Sequence, residues 1–185
     1  MSLRQLLYSD LARQYELAGR PDRRPNSLRF LARLLHYRFL PIVLYRVSRS
    51  ALLAGIPLLP SLLVYLNLVL FGLEITPRCE VGPGLFFAHT SGSVIGATRM
   101  GRNVTVFGGV TLGAKELDMG FDPTLRPEVG NNVVLGAGSK ILGPVQIADN
   151  VTVGANAVVL HSVEANTTVV GIPARKIEVA KVTHG

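Results

Sequence analysis

The sequence predicts a mainly β fold, a parallel β-helix of six-residue repeats preceded by an α-helical extension. Three observations carry this. Val129, Leu135, Ile141, Ile147, Val153 and Val159 stand at strict intervals of six, Val94, Met100, Val106 and Leu112 keep the same step, and Ile75, Val81 and Phe87 keep it earlier. Neither a helical period of 3.6 nor a strand period of two sustains such a beat, whereas short repeats forming one strand and one turn do. Small or aliphatic residues precede these positions by two, as at Val133, Ser139, Val145, Val151, Ala157 and Val163. Lastly, Gly82, Gly101, Gly113, Gly130, Gly136 and Gly154 follow the inward residue, and Asn103, Asn132 and Asn150 recur near corners, where a positive φ suits Gly or Asn.

From the N-terminus, residues 1–19 read as a helix with Leu3, Leu6, Leu7, Leu11 and Tyr15 on one face, ended by Gly19 and Pro21. Pro25 and Asn26 break the chain, and Ser27 is placed to cap a second helix reaching about Leu40. Pro41 interrupts it, and helical periodicity resumes from Ile42 to Ala54. Residues 50–73 carry no charge, long enough for a membrane span, but Pro57 and Pro60 divide them early. Three uses compete: packing on the β-helix and neighbouring subunits, an interfacial helix pair on a membrane, or a true span. The expected organisation is a helical extension over 1–73, the β-helix over 74–177, and a tail over 178–185. The beat lapses over 114–127 and resumes at Val129; an irregular insertion in a rigid repeat marks a functional loop.

The composition narrows the partners. The 185 residues carry a formal charge of +7, all of it from the first fifty residues, where ten arginines face Asp10, Glu16 and Asp22. Without stacking aromatics or a reader motif among them, nucleic acid is not the expected partner; an anionic membrane surface, contacted through residues 28–73, or an anionic substrate fits better. The lone Cys79 excludes an internal disulfide and, two residues before Val81, reads as a buried apolar side chain. No cleavable signal peptide is visible, so the expected location is cytoplasmic, at most at the inner face of the membrane. His89 and His161 are too few for a three-histidine zinc site, and no metal is expected.

Four segments, 86–96 (FFAHTSGSVIG), 109–113 (GVTLG), 136–143 (GAGSKILG) and 171–175 (GIPAR), resemble the serine O-acetyltransferase branch of the hexapeptide acyltransferases. The resemblance runs unbroken over about residues 74–177, and 44–49 (LYRVSR) with 71–75 (FGLEI) resembles the helices that precede the β-helix there. The short extension is closer to acetyltransferases of the colanic-acid type, which decorate exopolysaccharide sugars. The resemblance implies a left-handed β-helix, against the usual crossover hand. It further implies a homotrimer with sites in the grooves between subunits, and acetyl-CoA as the donor.

His89 stands where that family has its base histidine, and an imidazole titrates in the range needed to take a proton from an attacking hydroxyl. Glu74 falls on the family's aspartate that orients the base. Ala114, Ala137 and Ala155 match positions whose small side chains let the pantetheine arm approach the backbone, while Arg175 and Lys176, after Gly171-Ile172-Pro173, are candidates for meeting the CoA phosphates. The acceptor half departs from the pattern. Arg126 replaces a second active-site histidine, Leu125 an arginine and Ala88 an aspartate. Arg126 is therefore the candidate for an anionic acceptor group or for developing oxyanion charge. These departures lead to the expectation of an O-acetyltransferase acting on a sugar or glycolipid hydroxyl in polysaccharide biosynthesis. Serine O-acetylation in cysteine biosynthesis, and a non-catalytic β-helix scaffold, are the alternatives.

Overall fold

In the computed structural model the described residues are 1–23 and 27–177, the side chains of 27–29 excepted. The expected break at Pro25–Asn26, the side chain expected to cap from Ser27, and the tail 178–185 lie outside them. The first helix, α1 (Leu3–Leu17), opens on a capping box in which the Ser2 side chain accepts from Gln5 N and the Gln5 side chain accepts from Ser2 N. Leu7, Leu11 and Tyr15 are buried along one face, together with Asp10.

The second helix is shorter than the sequence suggests: α2 (Ser27–Leu34) stops, a turn follows, and α3 (Leu40–Leu53) begins before Pro41. Pro41 opens this helix instead of interrupting one, because a first-turn proline gives up an N–H that has no helical partner anyway. The last helix, α4 (Leu59–Phe71), follows a break at Gly55–Leu58 and ends on Gly72 in the left-handed conformation, φ 60°. Among the described residues no helix is long and apolar enough to cross a membrane.

The solenoid then makes about five turns, each contributing a short strand to each of three parallel sheets. The first sheet stacks β1 (Leu73–Ile75), β4 (Ser93–Ile95), β7 (Thr111–Gly113), β10 (Lys140–Leu142) and β13 (Val158–Val159). The second stacks β2 (Glu80–Val81), β5 (Arg99–Met100), β8 (Glu128–Val129) and β11 (Gln146–Ile147), and a bridge from Ile147 to Val163 extends it. The third stacks β3 (Phe86–Phe87), β6 (Thr105–Val106), β9 (Val134–Leu135), β12 (Thr152–Val153) and β14 (Thr168–Val170). Antiparallel β15 (Arg175–Ile177) continues that sheet beyond β14.

The hexad core is as dry as its pattern demands. Leu135, Ile141 and Val153 are fully buried, as are Val133, Ser139 and Val151 two residues before them. One position departs: Val94 is 38% exposed, and its neighbour Ile95 (1%) points inward instead. Ile95 pairs with Leu112 and Phe87 with Val106, so eight residues separate inward positions at the first corner where six suffice in the next coil. Met100 then follows five residues after Ile95, which restores the frame.

Two kinds of corner residue divide the labour the sequence assigned to glycine and asparagine together. Asn103, Asn132 and Asn150 take positive φ (54–59°) and form a side-chain ladder, Asn103 donating to Asn132 at 3.1 Å and Asn132 to Asn150 at 3.0 Å. Gly101 and Gly136 have no positive φ. They are small because coils stack on them: a Cβ at either would lie 2.6 Å from backbone of the next coil.

The first coil has no coil beneath it, and its outward carbonyls need donors. Helix α3 supplies them. Tyr45 Oη donates to Cys79 O at 2.7 Å, and Arg46 donates to Val81 O and Gly82 O at 2.6 Å each. Arg49 Nη1 donates to Pro77 O at 3.0 Å and Cys79 O at 3.2 Å. Two of the arginines that the sequence assigned to an anionic surface are thus spent on docking the helices to the solenoid. Asp10 completes the joint by accepting from Gly84 N and Leu85 N. Cys79 is fully buried, and burial pushes its thiol up to about 12.

Candidate functional site

His89 occupies the enlarged corner between β3 and β4. The two extra residues there carry its side chain out of the prism, where it is exposed. This corner is tethered rather than loose. Thr90 Oγ1 donates to Phe71 O at 2.9 Å, Gly92 N to Gly72 O at 2.9 Å, and Gly109 N to Ser91 O at 3.0 Å. The end of α4 and the second coil therefore fix the backbone on either side of His89. Gly108 lies directly above, and a Cβ there would approach the His89 Cβ to 3.2 Å.

Corners that join the third sheet to the first stack along one edge. Gly138 N donates to Gly108 O, and Asn156 N to Ala137 O. His89, Ala137 and Ala155 consequently share that edge, with Ala137 and Ala155 both exposed. Ala114 does not: it follows β7 and opens the loop at the next corner. Arg175 and Lys176 sit on β15 at the far end of the third sheet, both exposed. The structure thus aligns His89 with two of the three alanines and places the two cations at the end of the sheet that feeds this edge.

Glu74 lies on β1, opposite Val94, with its side chain exposed. It lines a cavity of about 590 Å³ with Tyr65, Thr76 and Arg78, beside α3 and α4. Among the described residues no hydrogen bond or ion pair joins Glu74 to His89, and neither side chain has a partner within the single chain.

The loop 114–127 is folded about a residue that sequence reasoning passed over. Asp118 accepts from Gly120 N at 3.0 Å and Asp122 N at 2.8 Å, and its Oδ2 takes two 2.8 Å contacts from Arg126. Burial pushes this carboxyl up, but the hydrogen bonds from Arg126 and from the Asp122 and Gly120 amides outweigh it and hold the pKa below the ordinary value. Arg126 also donates to Gly96 O at 3.0 Å and to Asp118 O at 3.1 Å, and its guanidinium lies 4.3 Å from the Phe121 ring centroid. Arg78 flanks the same ring at 5.8 Å and donates to Gly120 O. Leu117 and Met119 at the loop tip are each 90% exposed.

Among the described residues no cluster of three or more His, Cys, Asp or Glu is arranged to hold a metal ion.

Comparison with known proteins follows the same outline. Residues 126–161 match the family model for bacterial transferase hexapeptide repeats (six repeats). A serine acetyltransferase of Synechococcus elongatus is 41% identical over 158 residues, covering 84% of this chain. The chain spans 64% of that relative's length. Soybean serine acetyltransferase complexed with serine superposes with a TM-score of 0.80 at 32% identity, over 95% of this chain and 70% of that one. Serine acetyltransferase of Brucella abortus in complex with coenzyme A gives 0.77 at 32% identity, over 94% of this chain and 67% of that one.

These relatives overturn the expectation of a sugar or glycolipid acceptor in polysaccharide biosynthesis. That expectation leaned on Arg126 as a free cation for an anionic acceptor. The guanidinium is instead committed to Asp118, Gly96 and Phe121, so that part of the argument falls, while the departures at Leu125 and Ala88 stand.

Proposed function

The chain belongs to the hexapeptide-repeat acyltransferases, among relatives that are serine acetyltransferases, and on that premise we propose that it moves the acetyl group of acetyl-CoA to the side-chain hydroxyl of serine. The observation that carries this reading is the exposed, backbone-tethered His89 on an enlarged corner, in line with Ala137 and Ala155.

In this mechanism His89 accepts the proton of the serine Oγ as that oxygen attacks the thioester carbonyl carbon. The C–O bond forms, the tetrahedral intermediate collapses with loss of the C–S bond, and the imidazolium returns its proton to the departing thiolate. The sulfur leaves as the CoA thiol and O-acetylserine remains. Glu74 holds the ring N–H of His89 and offsets the imidazolium charge. Ala137 and Ala155 allow the pantetheine arm close to the backbone, Ala114 does so from the loop corner, and Arg175 and Lys176 meet the phosphates. Arg126 serves by fixing loop 114–127, which brings Leu117 and Met119 outward.

We further infer a homotrimer with each site shared between subunits. Two observations support it. His89 and Glu74 are exposed and unpartnered within one chain, and α4 leaves Leu62, Tyr65, Val69 and Leu70 each more than half exposed, an apolar surface that neighbouring subunits would bury.

The test is thiol release from acetyl-CoA on adding L-serine. His89→Ala should lose roughly 10²–10⁴-fold in kcat while still binding acetyl-CoA. Unchanged turnover in that variant, or no response to L-serine in the wild type, would overturn the reading.

A further inference from the structure

The turn that separates α2 from α3, which the sequence did not anticipate, builds one wall of a second cavity. It measures about 400 Å³ and lies between the C-terminal ends of α1 and α2 and the first coil. Arg33, His36 and Arg38 line it together with Tyr15, Tyr37 and Phe86, and no Asp or Glu is among the described residues of the lining. Among the described residues the Arg33 side chain makes no hydrogen bond, and its guanidinium lies 6.0 Å from the Tyr15 ring centroid. Arg38 donates through Nε to Tyr37 Oη at 2.8 Å, which leaves its terminal nitrogens uncommitted. His36 Nδ1 accepts from Arg38 N at 3.3 Å, so Nε2 remains available.

The apolar components are arranged as well as the charged ones. The His36 and Tyr37 rings stack at 4.8 Å with 26° between their planes, and Tyr37 is 63% exposed. Tyr15 is buried and supports Arg23 at 5.1 Å on the same ring. With Arg33 and Arg38 close by, the His36 ring resists taking a proton: burial lowers its pKa, and both guanidiniums lower it further. Arg33 and Arg38 thus converge on the cavity with no acid among its described lining residues.

We propose that this cavity binds a small anion carrying a planar ring, its phosphate or carboxylate held by Arg33, Arg38 and His36 and its ring laid against Tyr37. Forked guanidinium donors match the oxygens of such an anion, and a flat ring beside stacked aromatics gains contact area at little entropic cost. The cavity volume falls within the range of small-molecule sites.

Phenyl phosphate, inorganic phosphate and phenol are suitable probes, titrated into the full chain while the His36 ring protons are followed by NMR and the heat of binding by calorimetry. Phenyl phosphate should bind saturably and shift the His36 signals, at least about tenfold more tightly than phosphate or phenol, because both halves of the site are engaged. R33Q/R38Q should weaken it by about tenfold or more, and Y37A should remove the preference for the ring-bearing probe. Should the double variant fail to fold, R33Q alone carries the test, since that side chain makes no hydrogen bond to lose. Absence of saturable binding, or affinity undiminished in R33Q, would overturn the proposal. Equal affinity for phosphate and phenyl phosphate would overturn the ring-binding half.

Discussion

Asp10 and Arg46 meet in two hydrogen bonds of 2.9 and 3.0 Å, with neither side chain more than 1% exposed. Both groups also bond to the first coil, so the pair is less an isolated ion pair than a rivet through helix, helix and solenoid. Removing either partner leaves a buried charge, and costs of about 3–5 kcal/mol are ordinary for that. Asp10→Ala and Arg46→Met should each lower stability by that order in urea unfolding. Replacing both charges with apolar groups is often harmless elsewhere. Here Asp10→Leu with Arg46→Met should remain destabilised, because Val81 O, Gly82 O, Gly84 N and Leu85 N would lose their partners. A double variant as stable as the wild type would show that water replaces those bonds.

The glycines that follow inward residues look equivalent in sequence but differ in space. Gly101→Ala would drive a Cβ to 2.6 Å from the Gly130 carbonyl, backbone that cannot step aside, so a loss of about 1–3 kcal/mol is expected. Gly113→Ala meets nothing within 4 Å and has no positive φ; its melting curve should stay within about 0.5 kcal/mol of the wild type. Thermal unfolding of the two variants side by side checks both.

The hexad was legible because every coil must present an aliphatic side chain to the same narrow interior, and that demand prints a period no helix or ordinary strand shares. The enlarged His89 corner was not. Val94 stands where the six-step count lands, and Ile95 beside it is equally apolar, so composition could not reveal which of them faces inward. His89 itself was found through resemblance, since a lone histidine at a turn carries no signal of its own. The Asp10–Arg46 joint escaped notice for a different reason. Its partners lie 36 residues apart on separate helices, and a single acid on an amphipathic face reads as solvated until the fold closes over it. Arg126 was noticed without its bond to Asp118, because proximity in an irregular loop, not a repeat, brings the two together.

Glu74 offers a direct test of the orienting role. Glu74→Gln keeps the shape of the side chain but removes the charge that would steady a histidine imidazolium, and kcat should fall by roughly 10²-fold or more with the acetyl-CoA KM little changed. Glu74→Asp, which restores the carboxylate, should recover most of that loss. Because Glu74 and His89 have no contact within one chain, a rescue by Asp would separate electrostatic orientation from a structural effect on β1.

The Asp118 clamp makes the loop's order depend on pH in a defined direction. Its folded-state pKa lies below the ordinary value of 3.8, held there against burial by Arg126 and by the amides of Asp122 and Gly120. A depressed carboxyl contributes order that is complete above the unfolded value and is lost as the pH falls through the folded one. The loop should therefore stay closed at pH 5 and release only below about 3.8. The amide signals of Gly120 and Asp122, which donate to this carboxylate, report the event and should titrate together below that value. Asp118→Asn should abolish the inflection, loosen Leu117 and Met119 at every pH, and lower turnover at neutral pH while leaving the solenoid's melting temperature nearly unchanged. An inflection that survives in Asp118→Asn would assign it to another carboxyl and remove the clamp from the account of the loop.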